Sequence, residues 1–319
     1  MNESIRQNCA ARIEAFRELK ALNRWELQEI VLSCAGLYCV AGQPVDAERL
    51  KASRELLKKG RNIFSDFRGL AEFVLCCKMA LNKDPERYLN DVETVYEPLK
   101  NFLSDSQTVL AASILADHGF ADHAEDAARR TKDLYKQMKE QHPWLTAEED
   151  KPFAALMVVL GRDNSQTLQQ AEEAFAYLKK NLSADLNTMQ TLSFILALHD
   201  GDMTRRCEKL CAMAKGLRKA RRSLGGGMEL ASLGVLVDSE LSAEELVEQI
   251  VAADDCLKEE KIAKRLAART RRMCAVQTVA EITMADAKEN GIISTTFHTI
   301  LAVQYAIVVL MCLIIISAT

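Results

Sequence analysis

The stretch PFAALMVVLGRDNSQTLQQAEEAFAYLKKNL, residues 152–182, decides the fold. Its opening, PFAALMVVL, is apolar on every side of a helix, and such a helix has to be enclosed all round. A brief loop follows. Then Leu168, Ala171, Phe175, Leu178 and Leu182 recur at three- and four-residue steps, with Gln, Glu and Lys between them. That is the pattern of an amphipathic helix with one face on a core. The pair therefore predicts an inner helix backed by an outer one.

The same couple recurs along the chain. The apolar members are LQEIVLSCAGLY (27–38), GLAEFVLCCKMAL (69–81), TVLAASILA (108–116), PFAALMVVL (152–160), MQTLSFILAL (189–198), MELASLGVLV (228–237) and MCAVQTVAEI (273–282). Their markers Ala35, Ala71, Ala111, Ala154, Ser193, Ala231 and Val276 step by roughly 40 residues, a period typical of stacked helical hairpins. Outer partners show the helical period in Ala124, Ala127, Thr131, Leu134 and Met138, and in Ala243, Leu246, Ile250 and Leu257, with a gap at Asp254. Only 13 Gly and 5 Pro interrupt the 319 residues, which suits long helices and short loops. The expected fold is all-α, built of repeated antiparallel helical hairpins in about seven units. An α-solenoid and a closed α/α toroid both satisfy the pattern. Residues 1–290 form the repeat domain and residues 291–319 a C-terminal apolar helix.

Cap residues support the boundaries. Asp84 precedes Pro85 at a first helical position. Ser242 with Glu245, and Thr146 with Glu149, have the spacing of capping boxes. Asp150, ahead of Lys151-Pro152, is expected to cap the helix that follows. In the His142-Pro143 turn, Trp144 and Leu145 are expected to pack.

The composition is 49% hydrophobic and 27% charged, which excludes a disordered chain. A net charge of -4 gives no overall nucleic-acid signature, so no specific nucleic acid is expected. The ten Cys include no CxxC pair, and most lie among apolar residues. The charged start, MNESIRQNCAARIEAF, has no apolar core of a signal peptide. A cytoplasmic, reducing setting with free thiols is therefore expected.

The run FHTILAVQYAIVVLMCLIIISAT, residues 297–319, has no charged residue. Residues 300–318 are near the length of about 20 that spans a bilayer. Two readings stand: a tail anchor that brings membrane association, or a last core helix buried on all sides.

Three stretches, FSDFRGLAEFVL (64–75), HPWLTAEEDKPFAALMVVL (142–160) and MELASLGVLV (228–237), resemble an uncharacterised bacterial family. It is catalogued as domain of unknown function four thousand and three. The resemblance covers most of the chain and implies an all-helical bacterial protein, with no catalytic role. The chain departs from the family pattern at Gly69 and at Gly225-Gly226-Gly227-Met228.

Few residues suggest chemistry. His142, Glu149 and Asp150 have the types needed for an acid–base pair lining an inner surface. Their capping and turn roles explain the same residues. Arg68, at the start of an apolar helix, is a candidate anion clamp. Asp117, His118, Asp122 and His123 cluster in sequence but lack metal-site spacing, so no metal and no cofactor are expected. Cys207 and Cys211 share a helix face and are expected to be ordinary thiols.

A basic run, residues 205–227, holds eight Lys or Arg against one acid, Glu208. Arg218, Arg221 and Arg222, with Gly226 ahead of the next helix, are anion-binding candidates, and an anionic membrane surface is the partner they fit. The function expected is a non-catalytic scaffold that binds a protein or peptide. The alternatives are a cavity enzyme using His142, Glu149 and Asp150, or a tail-anchored membrane-surface adaptor.

Overall fold

The computed structural model describes residues 3–26, 28–63, 65–68, 70–100, 105–161, 163–199, 201–260 and 266–283. Their regular structure is helical throughout, with no strand among the described residues. They fall into two compact units. A central unit takes residues 18–164, and a terminal unit takes residues 3–17 with 165–283.

The central unit begins in α1 (Glu3–Leu22), which starts in the terminal unit. It continues with α2 (Gln28–Ala41), α3 (Ala47–Lys58), α4 (Leu70–Leu81), α5 (Pro85–Lys100), α6 (Ser106–Asp117), α7 (Ala124–Gln141) and α8 (Lys151–Val159). The apolar helices pack in series, α2 on α4, α4 on α6 and α6 on α8. The amphipathic ones form a second row, α3 beside α5 and α5 beside α7. Composition explains the layering. Gln107 to Leu115 of α6 and Lys151 to Val158 of α8 are buried without a break. Outer α7 buries only Ala124, Ala127, Ala128, Thr131, Leu134, Tyr135 and Met138.

The terminal unit holds α9 (Asn164–Asn181), α10 (Leu186–Ala197), α11 (Met203–Lys219), α12 (Ala243–Glu259) and α13 (Ala268–Thr283). Between α11 and α12 runs a 3₁₀ helix, Met228–Leu236. This corrects the α-helix expected from MELASLGVLV. The tighter winding accompanies a close backbone approach, because a Cβ on Gly234 would lie 2.7 Å from Ile195 Cγ2 of α10. The 3₁₀ helix packs between α10 and α13, and α11 packs against α12. In α9 the buried stripe is Leu168, Ala171, Ala174 and Leu178, while Phe175 is half-exposed.

Caps set the starts of the inner helices. Asp105 of α6 accepts the Thr108 N–H at 2.8 Å and its hydroxyl at 3.1 Å. Asp185 of α10 does the same for Thr188, at 2.7 and 3.0 Å. The Ser242–Glu245 box has both arms, and Asp84 accepts the Arg87 N–H. The expected Thr146–Glu149 box involves the Glu149 side chain, which lies outside the described part. The Thr146 hydroxyl donates to the Met138 carbonyl of α7, at 3.1 Å. Asp150 does not cap α8 with its side chain, because its carboxylate turns back to accept the Ala147 N–H, at 3.0 Å.

The gap at Asp254 has a physical cause. Asp254 is buried on the inner face of α12, and Arg271 Nε of α13 donates to it at 2.7 Å. Arg222 Nε stands 3.0 Å from its other oxygen. Elsewhere in this unit, buried Arg12 of α1 pairs with Glu281 and donates to Gln277 of α13. Among the described residues no helix is long and apolar enough to cross a membrane. Residues 291–319, with the charge-free run, lie outside them.

Asp254→Leu leaves its arginines without their buried carboxylate and is expected to cost about 3–5 kcal/mol in urea unfolding. Asp255→Ala, on the exposed side of the same helix, should stay within about 0.5 kcal/mol of the parent.

Candidate functional site

Each outer helix of the central unit passes to an inner helix through one loop, so the α1–α2, α3–α4 and α7–α8 loops share one edge. Polar contacts run along it. Asn23 accepts from Arg54, whose guanidinium also faces Glu72. Asp66, between α3 and α4, accepts the Tyr96 hydroxyl of α5, and Ser106 of α6 donates to the Asp66 carbonyl. Asp105 of α6 then joins Lys151 of α8, at 2.6 Å. Arg68, His142 and Asp150 lie along this edge, whereas Asp117 ends the inner helix α6, and His118, Asp122 and His123 lie on the α6–α7 connection.

Arg68 donates to Glu72 at 2.6 Å, so its charge is already answered within its own helix turn. His142 ends α7, where its carbonyl accepts the N–H groups of Leu145 and Thr146. The Asp150 carboxylate is buried in the turn it closes. The Glu149 side chain lies outside the described part. No described contact joins Arg68 to His142 or Asp150.

Sequence reasoning missed Lys151. Its side chain is 3% exposed, held between Asp105 and Glu148. It lines a small pocket with Thr108, Thr131 and Tyr135. The signal was a Lys inside the first turn of an otherwise apolar helix. Trp144 was also misjudged: it does not pack, and is 96% exposed. His142-Pro143 turns the chain outward there, while the Thr146 hydroxyl ties the loop back to α7. On the same edge Trp25 is 99% exposed and Ile63 is 73% exposed.

Asp122 and His123 are exposed, and the other candidates are absorbed into structure. Lys78 of α4 meets Asp117 at 2.6 Å, and the Tyr88 hydroxyl donates to the same carboxylate. His118 Nδ1 sits 2.9 Å from the Ile114 carbonyl. No metal-holding cluster occurs among the described residues. Burial pushes the Cys207 thiol up to about 12 and raises Cys211 as well, which keeps both protonated and poorly nucleophilic.

In the terminal unit, Arg222 pairs with Asp254 and Asp255. The Gly226 carbonyl accepts the Asp185 N–H, at 2.9 Å, and Arg218 and Arg221 are exposed. A further pair that sequence reasoning missed is buried His199, which faces Asp238 at 2.6 Å. Burial would raise the Asp238 carboxyl, but His199, Arg206 and Lys209 outweigh it and hold it below its ordinary range.

The chain belongs to the family described as "Protein of unknown function (DUF4003)", whose model matches residues 15–311. It is 25% identical over 194 residues to "Uncharacterized protein YeaA" of Bacillus subtilis (strain 168), a match covering 58% of this chain and 58% of that protein. No solved structure matches.

Lys151→Met keeps the stem but strands Asp105 beside Glu148, and should cost about 3 kcal/mol in urea unfolding. Adding Asp105→Asn, which still caps α6, should recover part of that loss. A neutral Lys151→Met would show that the ion pair does not hold α8 to α6.

Proposed function

We propose that this DUF4003 protein is a non-catalytic scaffold: a helical-hairpin array, solenoid or toroid, whose loop edge in the central unit binds a protein or peptide. The observation that carries the reading is Trp144, held at 96% exposure on a braced loop. Trp is the residue type most enriched among binding hot spots, because it removes a large apolar area from water at low entropy cost. Leaving it in solvent is unfavourable for an isolated chain, and a partner removes that cost.

Trp25 and Ile63 lie on loops of the same edge. Beneath them the charges pair with one another: Arg54 with Glu72, Arg68 with Glu72, and Lys151 with Asp105. A balanced, paired layer under exposed aromatic anchors suits an apolar contact from a partner better than capture of a charged small molecule. The acid–base alternative through His142, Glu149 and Asp150 has less support, because the Asp150 carboxylate already closes a turn.

Peptide phage display on the immobilised full chain tests the reading. Selected peptides should carry apolar anchors, and Trp144→Ala should weaken them by about 2 kcal/mol or more with an unchanged melting temperature. Failure to enrich any peptide, or equal binding by Trp144→Ala and Trp25→Ala variants, would remove the support for a docking edge.

A further inference from the structure

The terminal unit has a charged surface that neither its packing nor the docking edge uses. Lys179 and Lys180 close α9. Lys215, Arg218 and Lys219 close α11, and Arg221 follows directly. All six are exposed, and among the described residues none of their side chains makes an ion pair, hydrogen bond or ring contact. This sets them apart from Arg222 beside them, which is spent on Asp254 and Asp255. The end of α9 comes near the middle of α11. Tyr177 of α9 lies within electrostatic range of Glu208, Cys207 and Cys211 of α11. One turn further on come Lys180 and Lys215.

Helix C-termini favour cations, and one or two would satisfy that preference. Six exceed it. A second, independent observation concerns the backbone. Arg221 has φ 59°, in the left-handed region. Its N–H bonds the Arg218 carbonyl at 3.1 Å, and the Arg222 N–H reaches back to the Leu217 carbonyl at 2.8 Å. This is the helix-ending motif in which glycine normally takes the left-handed place. Glycine would relieve the strain there, yet the position carries a cation. Strain kept where a simple residue would relieve it marks a side chain with a use.

We propose that this surface, Lys179, Lys180, Lys215, Arg218, Lys219 and Arg221, docks the terminal unit onto an anionic lipid surface. The charges stand exposed at the ends of two helices, which suits a charged plane. A nucleic-acid strand instead calls for a groove and stacking platforms. Polybasic clusters of this size are what anionic headgroups attract. The sequence adds a second membrane-directed feature, the charge-free run of residues 297–319. Stable attachment generally takes two such signals, one apolar and one basic.

The test is co-sedimentation of the full chain with vesicles of phosphatidylcholine alone and of phosphatidylcholine mixed with phosphatidylserine. Attachment through the apolar run is indifferent to headgroup charge, so the difference between the two vesicles reports the basic surface. The parent should bind the anionic vesicles more tightly, with the excess shrinking as salt rises. Changing Lys215 and Lys219 to Gln should lower that excess about fivefold per charge. Arg221→Gly should lower it similarly while raising the melting temperature, a combination that a purely structural arginine would not give. Equal binding to both vesicles, or a variant that keeps the full excess, overturns the proposal. Tighter binding of single-stranded RNA than of anionic vesicles at matched salt also overturns it, and assigns the surface to nucleic acid.

Discussion

A helix that is apolar on every side has no face to give to water, and the rest of this structure depends on that constraint. Over α6, α8 and α10 the burial is continuous for most of their length. Each has to be covered by its neighbours in the inner row and by amphipathic helices behind. The charged groups that enter this interior come paired among the described residues. Lys151 meets Asp105, Arg12 meets Glu281, and Asp254 meets Arg271. An uncompensated charge there would cost several kcal/mol, so each pair fixes which helix ends stand together more than it adds stability.

The edges follow from the same arrangement. Where outer helices end and inner helices begin, carbonyl-rich C-termini lie beside amide-rich N-termini. The first favour cations and the second favour carboxylates. Asp105 and Asp185 cap inner helices in the same way, through a Thr three residues on. Asp105 uses its second oxygen for Lys151, so one carboxylate both starts α6 and binds α8. Charge at these edges is structural by default. That makes the six cations whose side chains are unpaired at the ends of α9 and α11 informative, whereas Arg68 and Arg222 are not.

Much of the architecture was legible in the sequence, because the inner and outer patterns differ so sharply. The stripe Ala124, Ala127, Thr131, Leu134 and Met138 is buried as its spacing requires. The break at Asp254 was visible too, but its reason lay in Arg271, 17 residues away and on another helix. Local rules failed where two assignments compete for one side chain. Asp150 has the position to cap α8, and its carboxylate accepts the Ala147 N–H behind it instead. The winding of residues 228–236 was illegible, because it accompanies the contact of Gly234 with Ile195, which composition does not reveal. Of the candidate site, the turn around His142 was found. The exposure of Trp144 and the burial of Lys151 were not, since each reverses the usual preference of its residue type.

Those two reversals belong together. Lys151 is drawn inside because Asp105 and Glu148 wait there, and their pairing anchors the first turn of α8. The loop before it is tied to α7 by Thr146 and closed by Asp150. Between two fixed points the chain has little freedom, and Trp144 is presented outward on a braced loop. A braced aromatic loses less entropy on contact than one on a floppy loop, so the buried charges beneath contribute to whatever the exposed ring does. Inner helices in such a fold have no exposed surface to offer, and outer helices mostly show solvated charge. On the proposed reading, recognition falls to the edges, where the backbone turns and side chains stand clear of the helix packing.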